Sequence, residues 1–159
     1  MLTLERIDRW WPLICLAVLS ICMGLGCGQE QAEFDLPDLV PVNGFLVIDG
    51  KPEPGVMVTL IPQGSTTGQS AFGITDENGA FACQYAMGGE GCPMGTYAIL
   101  CSKLVTLDGQ PIPEGTNAAD VMAQDKIPMK YRRLDEPFQT VEVTAAGVSS
   151  LTIQLQSKG

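Results

Sequence analysis

Thr75-Asp76-Glu77-Asn78-Gly79-Ala80-Phe81 lies between two runs that alternate apolar and polar residues, and its reading decides the fold. Asp76 and Asn78 have short side chains that hydrogen-bond their own backbone, and Gly79 accepts positive φ, so the chain reverses here at little steric cost. The flanking alternation predicts strands at residues 70–75 and 79–85, with Phe72, Ile74 and Phe81 directed into a core.

The same pattern continues on both sides. Val42, Gly44, Leu46 and Ile48 share one parity, Asp49-Gly50-Lys51-Pro52 makes a turn, and Val56, Val58 and Leu60 alternate with Met57, Thr59 and Ile61 before Pro62. Residues 96–105 read as a strand with Tyr97, Ile99 and Cys101 on one face and Ala98 and Leu100 on the other, both faces covered. Residues 139–144 and 149–156 form a final pair around Ala145-Ala146-Gly147, with Val141, Val143, Leu151, Ile153 and Leu155 inward. Residues 106–138, rich in Pro and Gly, are the least regular part, with one or two helical turns over 116–124 capped by Thr116 or Asn117. Seven short strands separated by turn residues predict an all-β, seven-stranded antiparallel sandwich with Greek-key connections. Each fully buried apolar side chain contributes ~1.5–3 kcal/mol, enough for one independent core in a 159-residue chain.

The N-terminus sets the compartment. Arg6 and Arg9 precede an uncharged stretch, residues 10–29, centred on Leu13-Ile14-Cys15-Leu16-Ala17-Val18-Leu19, which serves as an export signal or as an anchor helix. Its end, Met23-Gly24-Leu25-Gly26-Cys27-Gly28, resembles the lipobox of bacterial lipoproteins, although Gly24 stands where an aliphatic residue is usual. That resemblance implies cleavage before Cys27 and lipidation of Cys27, with an uncleaved anchor or simple secretion as the alternatives. The chain therefore divides into a signal segment (1–27), an acidic tether (28–41) and a β-sandwich domain (42–156). Fully extended, the tether reaches about 45–50 Å.

The net charge is −9, and residues 1–27 carry equal numbers of each sign, so their removal leaves it unchanged. Acidity of this size disfavours a nucleic-acid partner, because such proteins carry a basic footprint. Of six cysteines, Cys83, Cys92 and Cys101 fall in the domain. In an oxidising compartment they form one disulfide and one free thiol, as Cys83–Cys101 across a hairpin or Cys83–Cys92 across its loop; three unpaired buried thiols are the other reading.

The stretch Val42-Asn43-Gly44-Phe45-Leu46-Val47-Ile48-Asp49-Gly50-Lys51-Pro52, followed by Gly55-Val56-Met57-Val58-Thr59-Leu60-Ile61-Pro62, resembles the carboxypeptidase regulatory-like, or transthyretin-like, domain. Residues 75–81 are similar to that family's turn, Pro93-Met94-Gly95-Thr96-Tyr97 to its Pro-x-Gly-x-Tyr element, and Ile127-Pro128-Met129-Lys130-Tyr131 to a segment of small planctomycete-type lipoproteins. The resemblance covers residues 42–156 and implies a prealbumin-like, immunoglobulin-like sandwich without catalysis of its own. Enzymes of similar fold, hydroxyisourate hydrolases and intradiol dioxygenases, depend on histidines. This chain contains none, which removes the commonest general base and metal ligand.

Three chemical readings accompany this architecture. Asp76-Glu77-Asn78-Gly79 suggests calcium, but with Gly79 as the sixth loop position the first and twelfth would be Ile74 and Tyr85, neither a carboxylate. Met87, Cys92 and Met94 gather soft sulfur ligands of the kind that Cu(I) prefers, the alternative to a protein without cofactor. Lys126, Lys130, Arg132 and Arg133 form a basic cluster that could meet lipid headgroups, an anionic glycan or an acidic protein patch, or simply face water. Lys51, in a turn, is poorly placed for an intramolecular isopeptide bond. The expectation is a non-catalytic binding or structural module, anchored to the membrane by lipid or helix, extracytoplasmic in a bacterial cell envelope, meeting an envelope protein or glycan.

Overall fold

The computed structural model describes residues 36–158, so the expected export signal, Cys27 and most of the expected tether lie outside the described residues. In chain order the strands are β1 (Leu39–Val40), β2 (Val42–Ile48), β3 (Lys51–Pro52), β4 (Met57–Pro62) and β5 (Ala71–Ile74). Next come β6 (Ala80–Ala82), β7 (Gln84–Tyr85), β8 (Cys92–Pro93), β9 (Gly95–Ser102) and β10 (Leu104–Val105). The last are β11 (Gln124–Asp125), β12 (Thr140–Val143) and β13 (Val148–Leu155). A 3-10 turn at Met129–Tyr131 is the helical element among the described residues.

Two sheets enclose the core. One has five strands in the order β12-β9-β4-β5-β7, all antiparallel. The other is built on β2, which has β13 on one side and, end to end on the other, β3 and β6. Val42, Leu46, Val56, Val58, Leu60, Tyr97, Ile99, Ile153 and Leu155 are buried between them, as the parity of each strand requires. Asp49 and Gly50, at φ 50° and 78°, form the two-residue turn between β2 and β3, the positive angles matching the twist of the strands.

Several expectations are corrected. The final strands are not paired with each other: β12 joins the five-stranded sheet, whereas β13 runs parallel to β2, with Ile153 opposite Leu46. This sandwich is therefore not wholly antiparallel, and the parallel pair is reached through a long connection across both sheets. Phe72 and Ile74 face outward, and Ala71 and Gly73 take the inner positions of β5. The reason is steric. A Cβ on Gly73 would lie 2.6 Å from the Ala82 carbonyl oxygen, so only small residues fit where β6 passes beneath β5. Val141 is half-buried rather than core. Residues 116–124 form linked turns instead of a helix, broken by Met122 at φ 48°. The tether's final residues belong to the fold, since β1 pairs with β8 and the Pro41 carbonyl accepts from the Val148 N–H.

The strand after the turn changes sheets. Ala80–Ala82 pairs with β2, and after Cys83 the chain crosses so that Gln84–Tyr85 pairs with β5. Phe81 fills the corner between two glycines. A Cβ on Gly44 would sit 2.4 Å from Phe81 Cζ, and one on Gly73 3.3 Å from Phe81 Cδ2.

Candidate functional site

The turn at residues 75–81 is closed by hydrogen bonds to Asp76. The Asp76 carboxylate accepts from the Asn78 and Ala80 N–H groups at 2.8 and 2.9 Å, and the Gly79 N–H donates to the Asp76 carbonyl. Gly79 sits at φ 77°, with the Leu46 carbonyl oxygen 2.4 Å from any Cβ it might carry, so both its angle and its surroundings require glycine. Thr75 is the buried polar residue of the core; its hydroxyl accepts from the Val56 N–H at 2.9 Å and donates to the Glu53 carbonyl at 2.7 Å.

The sulfur groups separate by exposure. Cys83, Cys92 and Cys101 are free and buried, whereas Met87 and Met94 are about half exposed. Burial pushes the Cys92 thiol up to about 11, only partly offset by the Tyr97 hydroxyl beside it, and pushes Cys83 and Cys101 up to about 12. A cysteine binds a soft metal as the thiolate, a form that burial disfavours at Cys92, whereas the Met87 and Met94 thioethers need no ionisation. Among the described residues no group of three or more His, Cys, Asp or Glu side chains is placed to hold a metal.

The basic cluster is largely internal. Lys126 donates to Glu53 at 2.8 Å, and Lys103 reaches the same Glu53 oxygen and the Pro54 carbonyl. Arg133 pairs with Asp135 at 2.6 Å, and Arg132 donates to the Ile127 carbonyl while its Nε lies 3.6 Å from Asp125. Lys130 stacks over the Tyr131 ring at 4.8 Å. Three of the four cations therefore face carboxylates of their own chain, and the cluster organises a loop more than it offers charge to an anion.

Asp125 is the residue that sequence reasoning missed. Almost buried, it accepts from the Ser102 hydroxyl at 2.6 Å, the Lys103 N–H at 3.1 Å and the Ile127 N–H at 2.8 Å, fastening residues 106–125 back onto the end of β9. Glu53 does the same for Lys103 and Lys126, which lie 50 and 73 positions away in sequence. No local pattern marks either carboxylate, because its partners meet it only in the folded chain.

The surface that stands out is apolar. On the outer face of the five-stranded sheet Met57 is opposite Ile74, and Thr59 is flanked by Phe72 and Leu100. Met57, Phe72 and Ile74 are 44%, 37% and 58% exposed. Around the corner Ile74 lines a shallow groove with Phe45, Ala80, Ala82 and Thr152, where Phe45 is 39% exposed. From Phe45 to Leu100 this strip carries no charged side chain at its centre, with Asp76 at its rim and Glu142 on the outer β12 edge. Exposed apolar patches of a few hundred Å² on small domains commonly mark contact sites.

Comparisons with protein-family models, curated proteins and solved structures give no match for this chain. The likeness to the carboxypeptidase regulatory-like domain rests on the motifs of residues 42–156.

Proposed function

We propose that this chain is a non-catalytic binding or structural module of a bacterial cell envelope, extracytoplasmic and held to the membrane through lipid on Cys27 or an uncleaved N-terminal helix. In this reading residues 42–156 are a seven-stranded Greek-key, carboxypeptidase regulatory-like sandwich. The observation that carries the binding role is the uncharged apolar strip of Phe45, Met57, Phe72 and Ile74 on a chain of net charge −9. A protein suits this strip better than a glycan, since Met57, Phe72 and Ile74 are aliphatic or aromatic and gain more from apolar contact than from a sugar's hydroxyls. The partner surface is apolar at its centre and basic at its rim, complementary to Asp76 and Glu142.

The test is photocrosslinking in the native envelope. A photoreactive residue at Phe72 should give a discrete protein adduct, and one at exposed Gln154, on the other sheet, should not. The adduct should disappear in Ile74→Lys at unchanged melting temperature, because an exposed substitution costs less than ~0.5 kcal/mol. Equal adducts from both positions, or none from Phe72, would overturn the binding role. Parallel acyl labelling of Cys27→Ser reports on the anchor: a label that survives the substitution excludes lipidation at Cys27.

A further inference from the structure

Cys83 and Cys92 are brought together by a third strand. β6 pairs antiparallel with β2, Ala82 opposite Asn43, and the Cys83 N–H donates to the Val42 carbonyl at 2.8 Å. β8 pairs antiparallel with β1, placing Cys92 opposite Val40 and Pro93 opposite Leu39. Residues 39–45 thus template two segments in one line, between which residues 84–90 loop out and return. The return is closed by the bridge between Gln84 and Glu90 and by the Gly91 N–H, which donates to the Cys83 carbonyl at 2.7 Å.

The register fixes the side-chain direction. Cys83 sits at the rung of Val42 and Cys92 at the rung of Val40, two rungs along on the same face, and both valines belong to or pack on the core. Two rungs are ~6.7 Å at the strand rise, at the upper end of the Cα separations that a disulfide spans. Both thiols are buried in the same cluster, and Cys92 is a direct electrostatic neighbour of Cys83. Cys101 belongs to the same core cluster but sits on another strand, opposite Val58 in the five-stranded sheet, with Asp125 as its charged neighbour.

We infer that Cys83 and Cys92 form a disulfide when the chain folds in an oxidising compartment, leaving Cys101 a free buried thiol. The reaction is thiol–disulfide exchange with a disulfide oxidant, either a small molecule or an oxidised dithiol protein. One cysteine thiolate attacks the oxidant's S–S bond, forming a mixed disulfide and expelling one oxidant thiolate. The second cysteine thiolate then attacks the protein sulfur and expels the other. The oxidant leaves as two thiols carrying both electrons, and the two cysteine protons are passed to it through solvent. Exchange takes place before the corner closes, because the folded thiols are enclosed and protonated. The link seals the base of the loop at residues 84–91 and stiffens the edge against which β1 docks. It does not depend on what the apolar strip binds.

Methionines flank the three cysteines conveniently. Cyanogen bromide cleavage after Met57, Met87, Met94 and Met122 places Cys83, Cys92 and Cys101 on separate fragments, whereas no Lys or Arg lies between Lys51 and Lys103. The full chain is unfolded under reduction, refolded with reduced and oxidised glutathione, quenched in acid, alkylated and cleaved. The expected result is fragments 58–87 and 88–94 joined by a reducible bond, with Cys101 alkylated. The oxidised form should melt ~5–10 °C above the reduced one. Cys101→Ala should retain both the link and the shift, and Cys83→Ala or Cys92→Ala should abolish both. A bond involving Cys101 or the N-terminal cysteines, a stable glutathione adduct, or three alkylated thiols after oxidative refolding would overturn the inference.

Discussion

At the scale of single residues, Thr75 shows how a polar group becomes part of a core. Its hydroxyl replaces a strand partner for the Val56 N–H and at the same time satisfies the Glu53 carbonyl, so a residue that the sequence presents as one more turn flank ties the turn to the start of β4. Thr75→Val keeps the shape and removes both hydrogen bonds, leaving the buried Val56 N–H and the partly buried Glu53 carbonyl without this partner. A loss of ~1–3 kcal/mol is expected in urea unfolding. An unchanged midpoint would mean that water replaces the hydroxyl at no cost. Asp76, by contrast, was legible: an Asp two residues before Asn-Gly predicts the side-chain-capped turn that its carboxylate makes.

At the scale of elements, the informative one is β5. Its sequence, Ala71-Phe72-Gly73-Ile74, alternates cleanly, and hydrophobicity alone assigns Phe72 and Ile74 to the core. Packing reverses the assignment, because β6 crosses under β5 and Phe81 occupies the space that larger inward residues would need. Gly44 and Gly73 are small for that reason, not for their backbone angles. Gly44→Ala would place a methyl group 2.4 Å from the Phe81 ring and 2.5 Å from the Leu151 carbonyl oxygen. Overpacking of this kind costs ~1–3 kcal/mol, read from the urea midpoint. Combining it with Phe81→Leu, which opens the corner, should recover part of the loss; no recovery would place the clash at the Leu151 backbone instead.

At the scale of the whole molecule, ion pairs of long sequence separation hold the irregular connection to the sandwich, and they make stability depend on pH. Burial raises the Glu53 carboxyl pKa, but hydrogen bonds from Lys103 and Lys126 outweigh it, so the net shift is below the usual carboxylate range. A carboxylate whose folded pKa is depressed binds fewer protons folded than unfolded, so its contribution is complete above ~4.5 and is lost as pH falls through the folded value. The melting temperature should therefore drop between pH 5 and pH 3, and Glu53→Gln should flatten that drop while lowering stability at pH 7. Identical pH profiles for the two proteins would show that the Lys103–Glu53–Lys126 group contributes nothing net.

The sequence by itself determined an all-β chain, the positions of its main strands, the turns at Asp49-Gly50 and Asp76-Gly79, and the inward parity of Val56, Val58, Leu60, Tyr97 and Ile99. These follow from period-two alternation and from backbone angles that few residues tolerate, which are properties of neighbouring residues. Only the tertiary structure decided the exchange of faces in β5, the parallel seating of β13, the carboxylates that absorb the basic cluster, and the shared line of Cys83 and Cys92. Each of these depends on which distant segment lies alongside. Local chemistry leaves that choice open until the two sheets close on one another.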